Sequence, residues 1–164
     1  MMALSNYERM IKLADEVFAS KEDPEQLDVN EDIIDELLHI HPATVSEYDN
    51  GEGPIAWVLL IPTTLKLMNQ FIDGGISEKQ LFELTKIEKT YDAIYLCSAM
   101  VLEEYRNKGI AKNLVLNAID KIRKDHSIHG LFVWSFSKEG DLGAETISNI
   151  TSIPLYKRKN DKLS

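Results

Sequence analysis

The chain has 164 residues, 44% of them hydrophobic and 27% charged, with a net charge of −9. That length suits one domain with a real core, and no apolar run approaches the ~20 residues that a membrane-spanning helix needs. The single Cys97 excludes an internal disulfide and MMALSNYERM carries no cleavable signal pattern, so a soluble protein of the reducing cytoplasm is expected.

Ser5 and Glu8 form a capping-box pattern, and Tyr7, Met10, Ile11, Ala14, Val17 and Phe18 then fall on one helical face. Residues 21–30 are polar, hold Pro24 and read as a connection. Asn30 is placed to cap a second helix with Ile33, Ile34, Leu37 and Leu38 as its apolar stripe, ended by Pro42. A short strand over 44–48, the turn signal DNGEG and the run IAWVLLI at 55–61 read as a hairpin whose second strand is buried. Residues 62–90 carry two helical patterns, 65–72 and 81–87, separated by Asp73-Gly74-Gly75, with Ser77 and Gln80 able to cap the second. They form either an extra packing layer or a cover over an acceptor site. A central strand follows at 93–102, a long helix at 108–124 and another strand at 130–136. Residues 137–143 read as a polar, Gly-rich connection. Residues 145–153 lack a clean period, and 154–159 suggest a terminal turn of helix.

The stretch from 101 to 111, VLEEYRNKGIA, carries the most chemistry. A strand leads into a short loop that opens a helix. The first N–H groups of a helix have no intrahelical partner, and the helix dipole adds partial positive charge there. A phosphate or pyrophosphate can accept those donors. Gly109 allows close backbone approach, Ala111 keeps the next position small, and Arg106 and Lys108 add charge. No Walker string G-x-x-x-x-G-K-[ST] and no G-x-G-x-x-G fingerprint exists in the chain.

Arg106-x-x-Gly109-x-Ala111 after a strand, preceded by Val101 and Tyr105, resembles motif A of the GNAT acyltransferase superfamily. The usual pattern there is Val-x-Pro-x-x-Arg/Gln-x-x-Gly-x-Gly/Ala. This chain has Glu103 in place of the common Pro and Ala111 in place of the commoner Gly. The resemblance implies one GNAT-like α/β domain over 1–164, with a mixed, mostly antiparallel sheet flanked by helices and a helical insertion at 62–90. It implies acetyl-CoA as co-substrate and no metal. The pyrophosphate would be held by the backbone of Asn107, Lys108, Gly109, Ile110 and Ala111, aided by Arg106. The pantetheine arm would lie along Ser98, Ala99, Met100 and Val101. The family's general acid is a tyrosine in a late Leu-Tyr segment, which points to Tyr156. The chain then lacks the Gly-Phe of that segment and the two strands that usually follow.

Other chemistry is less well supported by the residues. The central strand holds no carboxylate, leaving Tyr95 and Glu103 as the candidates for a general base. His39, His41, His126 and His129 lack metal-ligand spacing. Cys97 reads as a small core residue, and Ser135 and Ser137 have no recognisable base partner. Residues 1–100 hold seven Lys/Arg against nineteen Asp/Glu, a net of −12, while 101–164 hold eleven against eight, a net of +3. The basic half contains the phosphate loop, and the acidic half is placed to face a cationic amine. No basic stripe interleaved with aromatics points to nucleic acid. An open sheet edge should be covered by the insertion or by a second copy in a homodimer. Two functions stay open: an N-acetyltransferase acting on an amine, and a GNAT-like CoA-binding protein without catalysis. A third alternative is an α/β protein in which the motif is accidental.

Overall fold

The computed structural model describes residues 4–19, 30–134 and 137–158. Their elements run α1 (Asn6–Ala19), α2 (Glu31–Ile40), β1 (Val45–Asp49), β2 (Pro54–Thr63), α3 (Leu65–Ile72), α4 (Glu78–Thr85), β3 (Ala93–Val101), α5 (Ile110–Asp125), β4 (Gly130–Val133), α6 (Lys138–Thr151) and β5 (Leu155–Lys157). Short 3₁₀ turns stand at Pro42–Thr44 and Glu103–Tyr105. The strands form one mixed α/β sheet in sequence order. β1–β2 and β2–β3 are antiparallel, β3–β4 and β4–β5 are parallel, and the antiparallel ladders are the longer ones.

β2 shows why its run is continuously apolar. Leu59 and Ile61 enter a core with α2, α3 and α4, while Val58 and Leu60 enter a second core with α5 and α6. Both faces of the strand are covered, so alternation disappears. α1 covers the remaining end of the first face through Met10, beside Ile55, Met100 and Leu102.

The insertion is a packing layer on the sheet face. Leu67, Met68 and Phe71 of α3 and Leu81 and Phe82 of α4 join Leu37, Tyr95, Phe132 and Trp134 in one cluster. Thr64 caps α3 by accepting the Leu67 N–H at 3.1 Å. Ser77 and Gln80 form the expected reciprocal capping box, at 3.1 and 2.8 Å. A Cβ at Gly130 would stand 3.1 Å from Leu65 Cδ2, so α3 lies close against the start of β4. The insertion therefore lies over one face of the sheet, and its Ile76 carbonyl accepts the Arg158 guanidinium just past β5 at 3.1 Å. A homodimer through β5 is the other cover expected for that edge, and sedimentation at twice the chain mass would show it.

The last third departs from the sequence reading. α5 begins at Ile110, not at 108, because Asn107 and Gly109 both take the left-handed conformation, at φ 63° and 80°. The stretch read as a Gly-rich connection is the first half of α6, which Ser137 starts by accepting the Gly140 N–H at 3.0 Å. Residues 155–157 are a strand and not a helical turn, because their backbone extends the sheet beside β4. Ser135 and Phe136 lie outside the described residues.

Tyr95 is buried on β3 and donates its hydroxyl to Glu78 Oε2 at 2.6 Å. Burial, then the neighbouring Glu78 charge, pushes its phenol well above the ordinary value. Above about pH 10 the unfolded chain releases this proton while the folded chain keeps it, so folded stability falls as pH rises. Tyr95→Phe should cost about 1.5–3 kcal/mol at pH 8, the scale of a hydrogen bond to a charged group. Its denaturation midpoint should also fall less steeply between about pH 9 and 11 than that of the parent. Parallel pH curves for the two proteins would contradict this assignment.

Among the described residues no helix is long and apolar enough to cross a membrane.

Candidate active site

The site begins with a mismatch between two strand pairings. β3 follows β2 along nearly its whole length, from Ala93↔Thr63 to Val101↔Ala56. It follows β4 only from Ala93 to Tyr95. A bulge interrupts the β2 register between Leu59↔Ser98 and Leu60↔Leu96, leaving Cys97 as the extra residue. Bulges bend the strand and raise its twist. Beyond Tyr95, β3 and β4 therefore diverge, and a cleft of about 660 Å³ opens between them. That is within the usual size of a small-molecule site, roughly 300–1,000 Å³. Ala99, on the open stretch of β3, is exposed, while Leu96, Cys97 and Ser98 are half-buried.

The N-terminus of α5 forms the mouth. Asn113 N–H bonds to Gly109 O at 3.0 Å, the first turn of the helix. Gly109 is the cap residue and no side chain caps this end. The other five α-helices among the described residues each have a side-chain cap, from Ser5, Asn30, Thr64, Ser77 and Ser137. The orphan donors at the start of α5 thus face the cleft, with the positive end of the helix dipole behind them. Arg106 is anchored by its Nε–H to Val101 O at 2.9 Å, which holds the guanidinium beside the same opening. No acidic residue stands in the first turn of α5.

The structure brings most of the sequence-derived residues together. Ser98, Ala99, Met100 and Val101, then Arg106, Asn107, Gly109, Ile110 and Ala111, all line the cleft. Lys108 does not; its ammonium sits 5.8 Å from the centroid of the Tyr105 ring. Tyr156 also stands apart from the lining. It is 43% exposed on β5, in register with Phe132, one strand beyond β4 as seen from β3.

Three contributors went unread in the sequence. Gly140, Gly143, Ala144 and Ile147 of α6 form one wall. Their spacing is that of a single helical face, and the two glycines leave room where side chains would fill it. Lys112 adds a cation at the α5 mouth, and Leu13 and Val17 of α1 line the cleft from the other side. Cys97, expected in the core, is half-buried in the cleft at the bulge, against the first core cluster.

The remaining polar candidates have structural partners. Tyr95 is engaged with Glu78, and Glu103 lies on a 3₁₀ turn outside the lining. Nearby Glu104 is held below the usual carboxylate range by its hydrogen bond with Arg9, at 2.6 Å, which ties α1 to that turn. His41 Nδ1 accepts the Ala43 N–H at 3.0 Å, and Nε2 faces Asp125 at 2.7 Å. Nδ1 thus carries no proton and Nε2–H donates. Among the described residues no group of three or more His, Cys, Asp or Glu is placed to hold a metal ion.

No protein of curated function matches the chain. Among solved structures, AtaT complexed with acetyl-methionyl-tRNAfMet is similar at 14% identity and a TM-score of 0.39, over 76% of this chain and 78% of that one. A crystal structure of AtaTR bound with AcCoA is similar at 15% identity and a TM-score of 0.39, over 76% and 77%. The model of the acetyltransferase (GNAT) family matches residues 7–159. With nearly its whole length inside that match, the chain belongs to the acetyltransferase (GNAT) family.

Proposed function

We propose that the chain binds acetyl-CoA between β3 and β4 and transfers the acetyl group to an amine. The uncapped N-terminus of α5, opening onto the divergence of β3 from β4, carries this reading. The CoA pyrophosphate would accept the amides of residues 109–111, with Arg106 and Lys112 neutralising its charge. The pantetheine arm would run along residues 96–101 of β3, whose backbone has no β4 partner among the described residues. In transfer, the amine nitrogen attacks the thioester carbonyl carbon. The C–N bond forms, the C–S bond breaks, and the proton lost by the amine balances the one gained by the thiolate. Holding both reactants in one cleft supplies the main acceleration. The lone Cys97 leaves no internal disulfide to lose, which fits a reducing cytoplasm.

Tyr156 is the exception within this reading. A proton donor must come within hydrogen-bond reach of the sulfur, or reach it through one water. From β5 the Tyr156 side chain is set apart from the lining residues. We therefore expect Tyr156→Phe to leave kcat within about twofold, whereas loss of a general acid would lower it by roughly 10²–10⁴. A drop of that size at constant acetyl-CoA affinity would restore Tyr156 as the acid.

One observation favours binding without catalysis: Glu139 is the only carboxylate among the described lining residues, and no histidine joins it. Two measurements separate the readings. Acetyl-CoA should raise the melting temperature, because ligand bound only to the native state adds stability. Release of free CoA thiol in the presence of amines should then follow. A shift without thiol release across an amine panel would favour the binding protein, and no shift at millimolar ligand would remove both.

A further inference from the structure

The loop that supplies the α5 amides holds an unfavourable backbone. Asn107 and Gly109 both take the left-handed conformation, and Asn107 does so with a side chain. Such residues persist only where the surrounding structure over-determines them. The Tyr105 N–H donates to Leu102 O at 2.9 Å and the Arg106 N–H to Glu103 O at 3.2 Å. Like the bond from Arg106 Nε–H to Val101 O, these are local and shape the turn without fixing it to its neighbours. Among the described residues, two long-range polar contacts fix it. Arg9 of α1 donates to Glu104 Oε1 at 2.6 Å. Asn50, in the β1–β2 turn, donates from Nδ2 to the Tyr105 hydroxyl oxygen at 2.9 Å. The two donors belong to one unit, because Asn6 of α1 donates to Asn50 Oδ1 at 3.3 Å and to Gly53 O at 3.4 Å. Asn50 Oδ1 also accepts the Glu52 N–H at 3.0 Å, which sets the amide so that Nδ2 meets Tyr105. Tyr105 and Ile110, at the two ends of the loop, pack against the apolar cluster that holds Met10 of α1. Arg9 and Asn50 are outside the described lining of the cleft, whereas Tyr105 is part of it.

Resting on the acetyl-CoA reading given above, we propose that Arg9 and Asn50 are positioning residues for the cofactor. Together they hold the loop at 103–109 in the conformation that turns the α5 amides to the pyrophosphate. They act through the loop and not on the ligand. Glu104 transmits the Arg9 contact by its carboxylate, and Tyr105 transmits the Asn50 contact by its hydroxyl. Each contact raises the fraction of free protein whose loop is already set, and apparent affinity scales with that fraction. Both contacts are exposed, so each adds little to the stability of the whole fold. The same modest energy is visible at the loop, because there it biases one local equilibrium between set and unset conformations.

The test measures acetyl-CoA affinity of the full chain by calorimetry, beside the melting temperature of the ligand-free protein. Arg9→Ala and Tyr105→Phe each remove one contact and keep the loop's own backbone bonds. Each should weaken acetyl-CoA binding about two- to fivefold, and the two together about tenfold. Asn50→Ala added to Tyr105→Phe should change affinity by no more than about twofold, since both remove the same hydrogen bond. Arg9→Lys keeps a cation within reach of Glu104 and should bind within about twofold of the parent. The ligand-free melting temperature of each single variant should fall by less than about 4 °C. Affinity within about twofold of the parent in the Arg9→Ala/Tyr105→Phe protein would overturn the proposal and leave the cofactor site standing. So would a loss in Tyr105→Phe that is absent from Asn50→Ala, because it would place the hydroxyl on the ligand itself. A loss seen only in variants whose ligand-free melting temperature falls further than expected would mark a merely structural role and overturn it as well. Failure of the parent chain to bind acetyl-CoA would bring down the underlying reading and this proposal with it.

Discussion

Phe71→Ala should lower the unfolding free energy by about 3–5 kcal/mol, the range for removing a large aromatic side chain from a close-packed core. Phe71 is fully buried in α3. Its ring lies edge-on to Tyr95 at 5.1 Å, 5.8 Å from Phe132 and 5.9 Å from Trp134, centroid to centroid. The Arg158 guanidinium covers it at 4.5 Å and also covers Trp134 at 4.6 Å. Truncation leaves a cavity beneath three aromatics and removes one surface of a cation–π contact. The insertion is joined to the rest of the fold through this cluster, so the loss should appear as a lower urea midpoint with one cooperative transition. A loss below about 1 kcal/mol would mean that α3 is a surface addition and not part of the core.

The largest functional effect is expected at Gly109. Its φ of 80° is a left-handed conformation that β-branched residues avoid. The protein itself leaves room there, since the nearest atom to a new Cβ is Lys112 Cε at 4.0 Å. Steric crowding within the fold is therefore small. Gly109→Val acts by straining the loop, by about 1–3 kcal/mol, and by placing a branched side chain where the pyrophosphate must approach. CoA affinity measured by calorimetry should fall at least ~100-fold, about 2.7 kcal/mol. Arg106→Ala should cost less, about tenfold or under, because one solvated charge contributes modestly beside several backbone donors. A Gly109→Val protein with unchanged CoA affinity would remove the cradle from the account.

What was legible in the sequence was local. Ser77 and Gln80 announce α4 because a capping box needs only four residues. The run at 55–61 announces a strand covered on both faces, and residues 106–111 announce the loop that opens α5. What stayed hidden depends on distant pairing or on glycine. The divergence of β3 from β4 follows from where a parallel ladder ends, at Tyr95↔Phe132, and no residue in either strand encodes it alone. The bulge at Cys97 is equally a matter of register. α6 is obscured by Gly140 and Gly143, poor helix formers whose small size shapes the wall of the cleft. Tyr156 shares a Leu-Tyr pair with the family's late segment, but that pair lies here on β5. A short motif does not carry its own place in the sheet.

The most direct test is an amide chemical-shift titration of the full chain with acetyl-CoA. Saturable shifts are expected in two places: the amides of residues 107–112 at the start of α5, and those of residues 96–101 on the open stretch of β3. The amides of α4, on the opposite face of the sheet, should stay still. Saturable shifts confined to other surfaces, or none at millimolar acetyl-CoA, would contradict it.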